Sequence, residues 1–187
     1  MEALHALHQR VSSPRLCDPA PVGEIRENIF RAALRAADHA NLRPWRFLVV
    51  EADDRNALGA LFERVELAEN PALEELQRER LRKMPLRAPL VVVAIASCKE
   101  HPKVPESEQV IAAGAAVQNM LTAAFAQGVG AYWRTGKLSF HRSVAEGLGL
   151  TANEQIVGFL YLGTPEGRAK PLPDLATADF FTSWPQK

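Results

Sequence analysis

Cysteine is nearly missing: Cys17 and Cys98 are the only two in 187 residues, and neither forms a C-x-x-C pair or stands beside a regularly spaced histidine. A disulfide framework or a structural zinc site is therefore not expected. An excess of one charge is also missing, because 22 Lys and Arg meet 22 Asp and Glu. No bulk field draws a phosphate backbone or an anionic lipid surface, so the reading is no nucleic acid and no membrane. The longest apolar run, Leu90 to Ala96, falls far short of the roughly 20 residues needed to span a bilayer. Met1 to Leu7 carries Glu2 and lacks both a basic leader and an apolar core, so no secretory signal is read and a cytoplasmic protein is expected. No G-x-S-x-G, H-E-x-x-H or P-loop occurs, and the glycines around Val129 do not complete a G-x-G-x-x-G fingerprint. No metal is expected, and any hard chemistry would belong to an organic cofactor.

What is present suits one compact domain over residues 1–187, with 47% hydrophobic residues to build its core. Leu4 and Leu7 suggest a short opening helix that ends before Ser12. The apolar positions Ile25, Ile29, Ala32, Ala33 and Ala36 predict a helix from Val22 to Ala37, which would place Arg35 and His39 on one side if it persists that far. Trp45 to Glu51 reads as a strand, followed by a helix capped by Asp53 or Asp54 and a charged, solvent-facing helix over Leu73 to Met84. Leu90 to Ser97, almost continuously apolar, predicts a strand buried on both faces. Glu106 to Gln127 is the longest predicted helix, and its small residues around Gly114 suit a buried or subunit-facing position. A strand at Val129 to Trp133, a helix from His141 to Leu148 capped by Ser139, a Thr151/Glu154 capping box and a strand at Ile156 to Leu162 complete the pattern. The class is α+β or α/β. The tail 164–187, with Phe180, Phe181 and Trp184, either frays or lies across a partner, and its aromatics favour the partner.

Three clusters could build a cofactor site. Arg10 and Ser12 offer a guanidinium fork and a hydroxyl, a natural pair for a phosphate monoester. Arg35, His39 and Asn41 supply donors where a helix ends, beside the turn at Pro44 and Trp45. Trp133, Arg134 and Thr135 follow a strand into Gly136 and could meet a flat heterocycle. Taken singly, each is more often ordinary surface chemistry at the end of an element.

Together they resemble the flavin-dependent nitroreductase family, and especially its small bacterial members named NAD(P)H nitroreductases. The resemblance runs from Leu4 to Arg15, through Arg35 to Phe47, Arg87 to Val93, Lys103 to Gln109 and Ala126 to Gly136, to Ile156 to Pro165. It implies an α+β fold with a central, mainly antiparallel sheet flanked by helices, and an intertwined homodimer with FMN at the interface. It further implies that Arg10, Val11 and Ser12 hold the phosphate and ribityl end, that Arg35 and His39 come from the other subunit, and that Trp133, Arg134 and Thr135 lie beside the isoalloxazine. Arg168 matches a phosphate-holding position, and Ala123, Ala124, Phe125, Ala126, Gln127 and Gly128 match a stretch assigned to NAD(P) contact. The implied activity is hydride passage from NADH or NADPH through FMN to nitroaromatic, quinone or similar small-molecule electron-poor acceptors, with no obligatory catalytic side chain. The alternative is a flavin-binding or interaction module without turnover, or a different flavin-dependent reaction on the same scaffold. This sequence departs from the family pattern at Val11, where a second arginine is common, and at Pro14. It is also short for the family, which implies a more open flavin edge.

Overall fold

A computed structural model of the chain describes residues 1–185. Its centre is a five-stranded antiparallel sheet, built from β1 (Leu16–Cys17), β2 (Trp45–Glu51), β3 (Leu90–Ser97), β4 (Gly130–Arg134) and β5 (Glu154–Pro165). β3 lies between β2 and β5; β5 also pairs with β4 and, at its far end, with β1. The apolar run of β3 is inaccessible on both sides because its two alternating sets face different helical layers. Val91, Val93 and Ile95 pack with Leu58, Leu61, Phe62 and Val65 of α3 (Asp54–Glu69). Leu90, Val92 and Ala94 pack with Ile29 and Ala33 of α2 (Gly23–Ala33) and with Ala116, Val117 and Met120 of α5 (Glu106–Ala126). The class is thus α+β, with helices on both faces of an antiparallel sheet.

One irregularity positions the later site. The register of β3 against β5 slips between Ala94, paired with Gly158, and Ile95, paired with Ile156, leaving Val157 as the extra residue of a bulge. The bulge shifts the phase of β5, so that Ile156 and Phe159, three apart, share the α3 face. Leu160 and Leu162 then face α5.

Helix α5 is long and apolar enough to cross a membrane by length and composition, yet Ala113, Ala116, Val117, Met120 and Ala124 are buried in the core. Ile111, on its uncovered side, is 71% exposed. The charged segment forms α4 (Glu75–Lys83), and it does more than face solvent. Arg78 and Arg82 both reach Glu63 on α3, at 2.7 and 2.5 Å, and these contacts hold the Glu63 carboxyl below its usual range.

Several expected boundaries move, each for a local reason. Helix α2 stops at Ala33, not Ala37. The amides of Leu34, Arg35 and Ala36 bond to carbonyls three residues back, and the Asp38 carboxylate then accepts the Arg43 amide at 2.6 Å. This side-chain bond competes with helix, and Ala40, Asn41 and Arg43 turn to φ of 62°, 53° and 49°. Arg35 and His39 are therefore not neighbours on a common helical side. Asp53 precedes α3 without a side-chain cap bond. Ser139 does not cap the following helix: it lies inside α6 (Lys137–Phe140), and His141 caps α7 (Arg142–Gly147) by accepting the Ser143 amide on Nδ1 at 3.1 Å. The Thr151 amide does donate to Glu154 at 3.1 Å, but the turn opens β5 and no helix follows. Beyond β5 the described part of the tail has no regular structure apart from a 3₁₀ turn at Thr177–Asp179, with Phe180, Phe181 and Trp184 exposed. The last two positions of the expected partner-packing tail, Gln186 and Lys187, lie outside the described residues.

Candidate functional site

The opening helix α1 (Ala3–Gln9) ends at Arg10, whose amide bonds to the Ala6 carbonyl at 3.1 Å. The chain then runs extended through half-buried Val11 and Ser12 until the Ser13 amide donates to Ala131 of β4 at 2.9 Å. One backbone bond thus moors the Arg10–Ser12 segment against the strand that carries Trp133, Arg134 and Thr135. Arg10 Nη1 is buried there without a hydrogen-bond partner. A buried guanidinium donor with no protein acceptor is costly, and an anionic ligand group is its natural complement.

Alternation along β4 sends Trp133 and Arg134 to opposite faces of the sheet. Trp133 packs with the α5 layer and donates Nε1–H to the Val157 carbonyl at 3.3 Å, so the bulge fixes its indole. Gly158 makes room for that ring: a Cβ there would stand 2.2 Å from Trp133 Nε1. Arg134 turns the other way, beside Tyr132. Its guanidinium carbon lies 4.1 Å from the Tyr132 ring centre and 5.5 Å from that of Tyr161. Here a cavity of about 350 Å³ opens between the sheet, α3 and α6, lined by Phe62, Met84, Arg87, Tyr132, Trp133, Arg134, Thr135, Leu138, Ser139, Phe159 and Tyr161. Burial pushes the Tyr161 phenol up, against an opposing pull from Arg134 and Arg87.

The other expected residues sit elsewhere on the chain. Arg35 is exposed and borders a groove of about 500 Å³ with α1 and with Asn119, Ala123 and Ala126 of α5. His39 instead places Nδ1 2.8 Å from Glu108 in the first turn of α5, so the two residues engage opposite halves of the same helix. Arg168 lies in the exposed tail, and two residues later the Lys170 ammonium comes within 5.7 Å of the Tyr132 ring. The stretch from Ala123 to Gly128 is divided. Ala124 is fully buried, Ala123 and Ala126 line the groove with Arg35, and Gln127 bonds to Asn28, to the Ile25 carbonyl and to the Ala123 carbonyl. Ala124 thus has no side-chain surface to offer a ligand. Within one chain, then, a backbone bond ties the Arg10–Ser12 segment to the strand of the Trp133 cluster, while Arg35 borders the groove between α1 and α5 and His39 engages the start of α5.

Reading the sequence for site residues missed Arg87, Tyr132, Tyr161 and Ser139. Tyr132 carried a signal, since it stands two before Arg134 on a strand and must share its face. Ser139 carried the wrong one, because a serine before a helix reads as a cap. Nothing local marks Tyr161 or Arg87, which reach the cavity from a different strand and a 3₁₀ turn.

Comparison with known proteins gives a consistent picture. The family model described as "Nitroreductase family" matches residues 13–164. The Escherichia coli K12 protein named "Putative NAD(P)H nitroreductase YdjA" is 43% identical over 169 residues, which cover 90% of this chain and 91% of that protein. A nitroreductase-like family protein of Bacillus cereus superposes over 100% of this chain and 97% of its own, with a TM-score of 0.82 and 21% identity. A Desulfovibrio desulfuricans nitroreductase, crystallised in complex with FMN, covers 100% and 99% with a TM-score of 0.74 and 26% identity.

Proposed function

The chain belongs to the nitroreductase family, and from that premise we propose that it is an FMN-dependent oxidoreductase that takes hydride from NADH or NADPH and serves a nitroaromatic, quinone or similarly electron-poor acceptor. The observation that carries the reading is the buried, unpaired Nη1 of Arg10, moored to the strand whose end lines a cavity with Trp133, Arg134 and Thr135. A phosphate is the partner such a guanidinium fits, so the residues present suit the FMN of the Desulfovibrio relative. When bound, FMN supplies the reversible two-electron centre that a nicotinamide loads and an acceptor unloads.

The chain's own part is positioning. Arg10, Val11 and Ser12 hold the phosphate and ribityl end with help from Arg168 in the tail, and Trp133, Arg134 and Thr135 fix the ring. Val11 provides only its backbone, which leaves Arg10 as the charged member of that turn. Because neither Arg35 nor His39 lines the cavity with Trp133, Arg134 and Thr135, they serve the site of the neighbouring copy in a homodimer. The uncovered Ile111 of α5 and the exposed Phe180, Phe181 and Trp184 of the tail support that assembly. The whole chain then acts as one domain, with 164–187 lying across the partner subunit and Ala123 to Gly128 beside the nicotinamide. In net terms one NAD(P)H gives up a hydride, while the acceptor gains two electrons and two protons, one proton from solvent. A quinone leaves as a hydroquinone, and a nitro group as a nitroso group plus water.

The visible spectrum of the purified protein tests this. A flavin spectrum that bleaches with anaerobic NADH or NADPH and returns on addition of an acceptor is expected. Protein that stays colourless after incubation with excess FMN overturns the proposal, and light scattering that shows a holo monomer overturns the shared site.

A further inference from the structure

Glu63, Glu66 and Glu69 stand three apart along α3 and so share a side of that helix. Glu63 takes the arginines of α4, and the other two hold α6. Lys137 Nζ lies 2.8 Å from Glu66 and 2.5 Å from Glu69, and His141 Nε2 lies 2.6 Å from the same Glu69 carboxylate. Lys137 opens the four-residue helix and His141 follows it, so one carboxylate fastens both of its ends. Because His141 Nδ1 accepts the Ser143 amide, Nε2 is the nitrogen that carries the proton and donates it to Glu69. Lys137 first, and then His141, hold the Glu69 carboxyl below its usual range, so it stays charged at neutral pH.

Packing by itself fastens α6 poorly. A helix this short does not hold together in water. Phe140 is 78% exposed and Leu138 half-buried, while Ser139, only 5% exposed, has no partner for Oγ, so its burial costs free energy that contact with water would recover. There is also room to move. Leu138 lines both the cavity under β4 and a second groove of about 400 Å³, which Leu73, Gln77, Arg80 and Leu81 line as well. Gly136, at φ 121° and with open space where a Cβ would stand, joins α6 to β4 as a hinge. Past His141, α7 is anchored in the core by Val144 and Ala145. A short segment with spare volume beside it, a buried hydroxyl left unpaired and charge at both ends owes its closed position to its ion pairs.

We propose that α6 is a flap latched to α3 by Lys137 and His141, and that Lys137 is a positioning residue that sets how large an acceptor can enter. The proposal rests on the flavin reading for its turnover arm alone. Hydrogen–deuterium exchange followed by mass spectrometry reads the flap directly. Lys137→Met keeps the apolar stem and removes the charge. At neutral pH and low salt it is expected to speed exchange of the amides at 136–141 by about fivefold, with β3 and α5 unchanged. Lys137→Arg is expected to keep the wild-type rate, and about 0.5 M sodium chloride to speed exchange more in the wild type than in Lys137→Met. In the FMN-loaded protein, kcat/KM for two-ring menadione relative to one-ring p-benzoquinone rises several-fold in Lys137→Met and stays at the wild-type ratio in Lys137→Arg. A wild-type exchange rate in Lys137→Met overturns the latch, as does acceleration that spreads equally to β3 and α5 or that arginine does not prevent. An unchanged quinone ratio overturns the control of entry. A protein that takes up no FMN fails the functional reading alone, because exchange at 136–141 is read without flavin.

Discussion

Glu154→Gln offers the sharpest test of how the sheet is tied together. Glu154 opens β5, and its carboxylate receives Arg46 of β2 through two bonds, Nε at 2.6 Å and Nη2 at 2.8 Å, as well as the Thr151 amide at 3.1 Å. The Glu154 side chain is 6% exposed and that of Arg46 36%. Its pKa is held down to about 2 from 4.5, first by the Arg46 hydrogen bonds and then by the Thr151 amide and Ser97, against the cost of burial. At 1.36 kcal/mol per pK unit the bound carboxylate contributes about 3 kcal/mol at neutral pH, and solvent reaching Arg46 trims this to about 2–3 kcal/mol. The sign follows from the depression. The contribution is complete above the ordinary value of 4.5 and drains away as pH falls from 4.5 toward 2. Glutamine keeps the shape and an acceptor for Thr151 but removes the charge. Urea unfolding followed by far-UV circular dichroism, at fixed protein concentration, is expected to show the variant about 2–3 kcal/mol less stable at pH 7, with the gap narrowing below pH ~4.5 and nearly closed only below pH ~2. The melting temperature at pH 7 falls by about 4–12 °C. A gap that persists unchanged into acid, or no gap at pH 7, would refute the account of an ion pair that fastens the start of β5 to β2.

Arg10→Ala removes a charge-assisted phosphate contact, roughly 1.5–3 kcal/mol, so fluorescence titration is expected to show FMN affinity about 10- to 100-fold weaker; an unchanged affinity contradicts the phosphate assignment. Gly158→Ala drives a methyl to within 2.2 Å of Trp133 Nε1 and 2.9 Å of the Arg134 carbonyl. About 2 kcal/mol or more is lost and the indole environment shifts, which chemical unfolding and Trp fluorescence would detect; a wild-type unfolding midpoint sinks the packing argument. Phe62→Ala deletes an edge-to-face contact with Phe159, 5.3 Å between ring centres, in the wall of the cavity. Its expected cost is about 3–5 kcal/mol in the same assay, and a loss under about 1 kcal/mol would mean that the site collapses to fill the gap.

Much of the fold was legible because its signals are short in range. Trp45–Glu51 and Leu90–Ser97 fall where apolar patterning puts them, and α5 ends within a residue of the reading. The failures are places where one side chain outcompetes a pattern. Asp38 captures the Arg43 amide and ends what an alanine-rich run would continue, and Glu154 turns to Arg46, so that an apparent capping box becomes the entrance to a strand. The candidate site was legible in its local clusters, Arg10 to Ser12 and Trp133 to Thr135. It was not legible in Arg87, Tyr161 and Ser139, which are far apart in the chain and meet only across the cavity.

The sequence by itself determined the elements, their two-sided burial and the family, because periodicity, turn chemistry and the order of short motifs are properties of neighbouring residues. Only the tertiary structure decided which charges go unpaired. Composition shows an equal count of cations and anions, but pairing depends on distances between elements. Folding brings Glu51, Glu63 and Glu154 to arginines on other elements, while Arg10 Nη1 and Arg134 Nε end buried with no hydrogen-bond partner.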